Sequence, residues 1–330
     1  LFLITLVKFH IHHRTRYLYA AKVSFGPHRL MFRPRESHSI QLESFSIKIT
    51  PAHRLRWMRD LYENNVGLLD LTEPSSELVI ESECYLKALQ ENPFDFMIDK
   101  QAIEYPFVYD YEIAAQLAPL CAPIYIRDTE RIKSWLHPYW HPGRRIGTFD
   151  LLQQLNKVIY RDIRYQRRER RGVQSPAETL EKNSGSCRDF AALFMETCRF
   201  MGLAARFVSG YMYSSEITGR MSMHSWAEVY LPGAGWIGFD PSWGILAASQ
   251  YIPVAVNRHP EHAPPISGTY FGYAREFLRT EVDLYVKKVD SPHPSKELPK
   301  STQEIPATMM PENGIRSKSS RASEDWPSAV

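Results

Sequence analysis

Residues 184–194 read SGSCRDFAALF. Phe190, Leu193, Phe194, Thr197, Cys198 and Met201 extend the stretch at i, i+3, i+4, i+7 spacing, which predicts a helix with one apolar face. Gly202 supplies its stop. Ser186 is the expected N-cap, and Asp189, three positions on, its capping-box partner. Cys187 then falls in the first turn, where backbone N–H groups are unpaired and the helix dipole is positive. Both features lower a thiol pKa. Cys198, mid-helix on the apolar face, reads instead as a small buried hydrophobe. The β-like runs LAARFVSGYMY, MSMHSWAEVYL and GWIGFD follow, so a cysteine-bearing helix leads into strands and the order is α+β.

A nucleophilic thiol needs a base, and the base needs a group to orient it. MSMHSWAEVYL alternates, with His224, Trp226, Glu228 and Tyr230 on one face. A hairpin-like LPGAG leads to GWIGFDPSWG, where Trp236, Gly238 and Asp240 share a face and Pro241 ends the pairing. Antiparallel neighbours would set His224 beside Asp240, with Cys187 packed against the strand edge. A lone helical cysteine is more often core than catalytic. The three residues in matched contexts favour a Cys187–His224–Asp240 triad. Trp226 and Trp236 are expected to wall the cleft or pack beneath it, and Glu228 to pair with an arginine.

SGSCRDFAALF followed by HSWAEVYLPGAGWIGFDPSWG resembles the transglutaminase-like cysteine enzyme superfamily. GPHRLMFRPR and SFSIKITP resemble the N-terminal domain of bacterial transglutaminase-like proteins. The likeness spans about residues 10–250. It implies a papain-like transglutaminase core, with the nucleophile on Cys187, the base on His224 and the orienting acid on Asp240. The implied chemistry is acyl transfer on peptide or protein amides. Hydrolysis is expected first, and protein-glutamine gamma-glutamyl transfer or a catalytically silent interaction module are the alternatives. An oxyanion hole is required, with the Cys187 N–H as one donor and Gln174 as a candidate for the second.

The rest of the chain frames this core. Its 330 residues suggest two domains or one with large additions. Residues 1–90 carry short alternating runs such as FHIHHRTRYLY and HSIQLESFSIKIT and predict a β-sandwich. Residues 91–147 read as a helical connector, in which YEIAAQLAPLC and DTERIKSWLHPYW have helical spacing and end near prolines. The catalytic core is assigned to 148–286. It opens with a helix over 148–165 that Thr148 or Asp150 would cap, and a short helix follows near Pro176–Lys182. Residues 287–330, rich in Pro, Ser, Lys and Glu, are expected to be a disordered tail, because so few apolar groups cannot offset ordering entropy.

Composition narrows the partners. The chain is 44% hydrophobic and 23% charged with a net charge of +3, which gives no general argument for nucleic-acid or membrane binding. LFLITLV at the start is too short for a membrane span and reads as the beginning of a strand. Because Leu1 is not a methionine, upstream residues are expected. Four scattered cysteines without CxxC spacing fit a reducing cytosol better than a disulfide scaffold. HIHH (His10 to His13) reads as a solvated strand edge, and His137 and His141 as a helix end. With no phosphate loop, zinc signature or acidic calcium loop, no cofactor or metal is expected. The six arginines from Arg161 to Arg171 read as a solvated loop. A protein partner on the N-terminal β region remains open.

Overall fold

The computed structural model describes residues 5–90, 92–168, 171–215 and 222–289. The N-terminal region is organised by one strand, β1 (Thr5–Leu30), 26 residues long. Along its first half β1 pairs antiparallel with β5 (Ser75–Gln90), and β5 with β2 (Ile40–Thr50). Along its second half it pairs with β4 (Asn65–Leu71), and β4 with β3 (His53–Arg59). The pairing shifts register between Leu18 and Val23, where the strand can bend. The two halves enclose a small core of Leu30, Phe32, Leu69, Leu78 and Ile80, joined by Phe45 and Leu55. The expected β-rich domain is therefore present, with its two layers formed from a single seven-stranded sheet.

The other face of β1 points to the helix-containing core of the chain. Phe9, Ile11, His13 and Thr15 alternate as buried residues, following the period of two that a strand imposes. Phe9 and Ile11 join the main apolar cluster with Leu86, Ala88 and residues of the core helices.

The connector contains β6 (Glu104–Tyr105), α1 (Tyr111–Cys121), α2 (Thr129–Leu136) and β7 (Ile146–Gly147), with β6 pairing β7. The core follows with α3 (Thr148–Asp162), whose N-cap is Gly147; neither Thr148 nor Asp150 caps it, as the sequence suggested. Next come β8 (Arg164–Tyr165), α4 (Pro176–Lys182), β9 (Ser184–Gly185) and α5 (Cys187–Phe200). Ser175 and Glu178 form a capping box at α4.

Helix α5 is buried on every side from Asp189 to Arg199, more completely than its one-face pattern predicted. Its polar members are tolerated because they are satisfied. Glu196 pairs with Arg199 at 2.8 Å and accepts from the Ile124 and Tyr125 N–H groups. Arg199 donates to the carbonyls of Leu120, Ala205 and Arg258. Cys198 is fully buried in this core, and burial pushes its thiol pKa up.

Helix α5 packs on a five-stranded sheet ordered β13 (Ile245–Leu246), β12 (Gly235–Asp240), β11 (His224–Leu231), β10 (Ala205–Met212), β14 (Tyr251–Asn257). The Phe194 and Phe239 rings meet at 5.2 Å across that interface. Gly210 of β10 has to be glycine, since a Cβ there would strike the Ile252 carbonyl and the Trp226 ring.

The outer edge of β14 is closed by the N-terminal region. Fully buried Asn64 donates to the Val256 carbonyl and accepts from the Val256 N–H, both at 2.8 Å, so a side chain does the work of a neighbouring strand. The Arg35 N–H adds a bond to the Pro253 carbonyl, and its guanidinium holds Asn64.

The chain then leaves the core. β15 (Ile266–Phe271) and β16 (Phe277–Lys288) both pair with β1 and complete the N-terminal sheet. The boundary expected at 286 therefore moves: residues 266–288 belong to that sheet, because β1 has unpaired length to receive them. Lys287 and Lys288, read as tail, are the end of β16, and the remainder of that expected disordered segment, from 290, lies outside the described residues.

Candidate active site

The site is built on the start of α5. Ser186 has extended backbone angles (φ −91°, ψ 176°), as an N-cap requires. Asp189 Oδ2 accepts from the Ser186 N–H and hydroxyl, each at 2.8 Å. The same carboxylate takes two bonds from the Arg168 guanidinium, at 2.7 and 2.8 Å, and one from the Gln174 N–H. Burial opposes its charge, but Arg168, Ser186 and Gln174 together hold its pKa below the usual carboxylate range. This buried hub ties the arginine-rich loop down at Arg168, whose side chain is 17% exposed, while Arg161, Arg164, Arg167 and Arg171 are exposed. Cys187 follows Ser186 at the first helical position and is partly accessible.

Strand pairing brings up the partners. Ala227 faces Phe239 in the β11–β12 ladder, so His224 near the start of one strand and Asp240 at the end of the other lie together. His224 Nε2 is 2.6 Å from Asp240 Oδ2, which leaves Nδ1 for the Cys187 sulfur. Asp240 is saturated: the Tyr251 hydroxyl donates to Oδ2 at 2.7 Å, and the Ser242 N–H and hydroxyl donate to Oδ1 at 2.9 and 2.6 Å. Cys187 Sγ interacts electrostatically with the His224 imidazole, the Ser225 N–H and the Tyr165 hydroxyl.

The electrostatics follow from these contacts. Burial works against the Cys187 thiolate, and Asp240 repels it, but the bond and charge of His224 with the Ser225 N–H outweigh both and lower the thiol pKa. Burial also disfavours the His224 imidazolium, yet Asp240 first and Cys187 next raise its pKa well above the ordinary value. Asp240, despite burial, is held below the carboxylate range by His224, Ser242 and Tyr251. A thiolate beside an imidazolium is the resting state these terms favour, and a thiolate is the form that attacks carbonyl carbon.

Cys187, His224 and Asp240 are thus brought together. Trp226 is almost fully buried beneath them, with its ring 5.2 Å from Tyr251 and 6.4 Å from His224. Trp236 does not line the cleft: it lies at the far end of the ladder opposite Tyr230, stacked under Arg206 at 4.1 Å. Glu228 pairs with that same Arg206 at 2.6 Å.

Gln174 is not available as an oxyanion donor. It is buried, its amide donates to the Ser184 carbonyl at 2.9 Å, and its Oε1 accepts from Lys182. His10 and His12 pair with Glu83 and Glu81, and His137 stacks on His141. Among the described residues no group of three His, Cys, Asp or Glu side chains could hold a metal ion, and no helix is long and apolar enough to cross a membrane.

Sequence reasoning missed Tyr165, Arg168, Ser242 and Tyr251. Only Ser242 had a local signal, the Asp-x-Ser turn in which an acid side chain bonds the backbone two residues on. The others reach the site through tertiary packing.

The core has the transglutaminase-like fold. Residues 146–241 match the family model of the transglutaminase-like superfamily, and residues 9–86 match that of the bacterial transglutaminase-like N-terminal region. The chain carries both regions in that order. An uncharacterized protein of Mycobacterium tuberculosis is 27% identical over 306 residues, 87% of this chain and 95% of its own length. One of Mycobacterium leprae is 26% identical over 288 residues, 82% of this chain and 96% of its own. A Cytophaga hutchinsonii chain described as a candidate cysteine protease shares the fold, with a TM-score of 0.68 at 19% identity, over 88% of this chain and 93% of that one.

Proposed function

We propose that the protein is a cysteine-dependent acyl-transfer enzyme that hydrolyses amide bonds in peptides or proteins. The observation that carries this reading is the contact of the partly accessible Cys187 thiol with His224, itself held by Asp240 at 2.6 Å. The Cys187 thiolate attacks the carbonyl carbon, a C–S bond forms, and the π pair moves onto oxygen. Collapse restores the carbonyl and expels the amine, which takes its proton from the His224 imidazolium. Neutral His224 then removes a proton from water, the hydroxide attacks the thioester, the C–S bond breaks and the acid leaves. Asp240 orients the imidazole and favours its cationic form throughout. All four cysteines are free thiols, which suits a reducing compartment such as the cytosol.

The test has two parts. The pH dependence of iodoacetamide alkylation, with the label located by mass spectrometry, is expected to show Cys187 reacting well below pH 8.5, an ordinary thiol pKa of about that value being the reference. Casein supplied with a fluorescent primary amine is then expected to be cleaved or deamidated without amine incorporation, and Cys187→Ala to abolish turnover with an unchanged melting temperature. Amine incorporation instead would make the protein a transferase. No selective labelling and no turnover would leave a silent interaction module.

A further inference from the structure

The acyl-transfer reading leaves one demand unmet. The oxygen of a tetrahedral intermediate needs donors besides the Cys187 N–H, and Gln174 is consumed by Ser184 and Lys182. We propose that the Tyr165 hydroxyl is the second donor of the oxyanion hole. The proposal rests on the acyl-transfer reading and names a further catalytic residue for it.

The position of Tyr165 follows from the backbone. β8 and β9 pair in parallel, with Tyr165 opposite Gly185, two residues before the nucleophile. The bonds from Gln166 N–H to the Gly185 carbonyl and from Arg164 N–H to the Asn183 carbonyl flank it, at 2.8 and 3.1 Å. Gly185 must be glycine where β9 folds onto the first turn of α5, because a Cβ would lie 2.9 Å from the Asp189 Cβ and 3.2 Å from the Phe190 ring. The Tyr165 ring then stands edge-on to Phe190, with centroids 6.1 Å apart, and its hydroxyl comes up beside the Cys187 sulfur. Anchored on the strand that leads into α5, the hydroxyl shares a frame with the Cys187 N–H.

The direction of the reaction selects this side. The leaving nitrogen must face His224, its proton source, so the carbonyl oxygen must turn away from it. Ser225, whose N–H also interacts with the sulfur, is the chain neighbour of His224 and is buried at 8% exposure. Tyr165 comes from a different element and is 52% exposed, so a carbonyl can reach it from solvent. When the thiolate adds to a carbonyl, the new oxyanion sits one bond from the carbon held by sulfur, within reach of a hydroxyl that stands beside that sulfur. The phenol gives a hydrogen bond and keeps its proton. Burial first, and the adjacent Cys187 charge next, push its pKa up to about 12, so it remains a donor at neutral pH.

The experiment separates an oxyanion donor from a partner of the thiolate. Alkylation by iodoacetamide displaces iodide at a saturated carbon and forms no oxyanion, whereas acylation by p-nitrophenyl acetate does. Both rates are measured on the full chain for wild type, Tyr165→Phe and Cys187→Ala. Tyr165→Phe is expected to slow acylation about 100-fold, while alkylation, compared at pH values where the thiol of each protein is fully ionised, changes far less. Equal acylation in wild type and Tyr165→Phe overturns the assignment. So does a parallel fall in both rates, which would make the hydroxyl a support of the thiolate. Faster alkylation with acylation retained also overturns it, making the hydroxyl a cap on the resting thiol. If wild type fails to acylate and label at all, or Cys187→Ala acylates as well as wild type, the acyl-transfer reading itself fails and the assignment with it.

Discussion

The two regions of the molecule each bury a histidine, and treat it in opposite ways. His13, on β1 of the N-terminal sheet, is 2% exposed; His224, on β11 of the core, is 8% exposed. Around His13 stand the Tyr211 and Thr15 hydroxyls, each at 3.2 Å, and the Phe32 ring at 4.6 Å. Burial, helped by the charge of His12, lowers its pKa to about 3, and it is neutral. Around His224 stand Asp240 and Cys187, which reverse the same burial and hold it cationic. Burial sets the cost of charge, and the partner decides whether that cost is overcome. One histidine becomes packing and the other a proton store.

The contrast can be broken most forcefully at Asp240. Asp240→Asn removes the charge that opposes burial at His224, so turnover is expected to fall on the order of 10³–10⁴-fold. The pH at which iodoacetamide begins to label Cys187 should rise toward that of an ordinary thiol. An unmoved labelling profile would mean that Asp240 is not what keeps His224 charged.

Urea titrations across pH sharpen the other side. The folded-state pKa of His13 lies below its ordinary value of 6.5, so the unfolded chain binds its proton more readily. Stability associated with His13 is therefore complete above about pH 6.5 and lost as pH falls toward 3. His13→Gln is expected to flatten this slope, and the same slope in both proteins would count against the neutral assignment. The depressed pKa of Asp240 contributes loss only at lower pH, as its carboxylate protonates.

The smallest effect is expected at the seam between the regions. Asn64→Ala leaves the buried Val256 N–H and carbonyl without their partner and should cost about 1–3 kcal/mol of stability. The Cys187 labelling midpoint should stay in place. A shifted midpoint would show that the N-terminal region helps to set the charge of His224, through β14 and the Tyr251 hydroxyl on Asp240.

What the sequence discloses of this site divides along the same physical line. Cys187, Ser186 and Asp189 are legible because helix capping is local, and His224 with Asp240 because strand alternation and one hairpin fix their meeting. Tyr165 and Tyr251 are not, since each depends on a pairing between distant segments, Tyr165 with Gly185 and β14 with β10. Trp236 was misassigned because a shared strand face does not tell which end of the strand meets the cleft. In the fold, the α+β order and α4 and α5 were readable from period and caps. The return of β15 and β16 to β1 was not, because nothing in either strand names its partner.

That return has a consequence for how the protein is made. β1 is synthesised before the whole core, yet the strand that covers its flank from Phe9 to Tyr19 ends at Lys288. Until then one row of β1 amides and carbonyls has no neighbour, through the synthesis of the whole catalytic core. A nascent chain in this state offers an open strand edge to other chains, and such long-range closure is slow. Cutting the chain before residue 288 would make that exposure permanent, so the N-terminal sheet is best produced with its last strand attached.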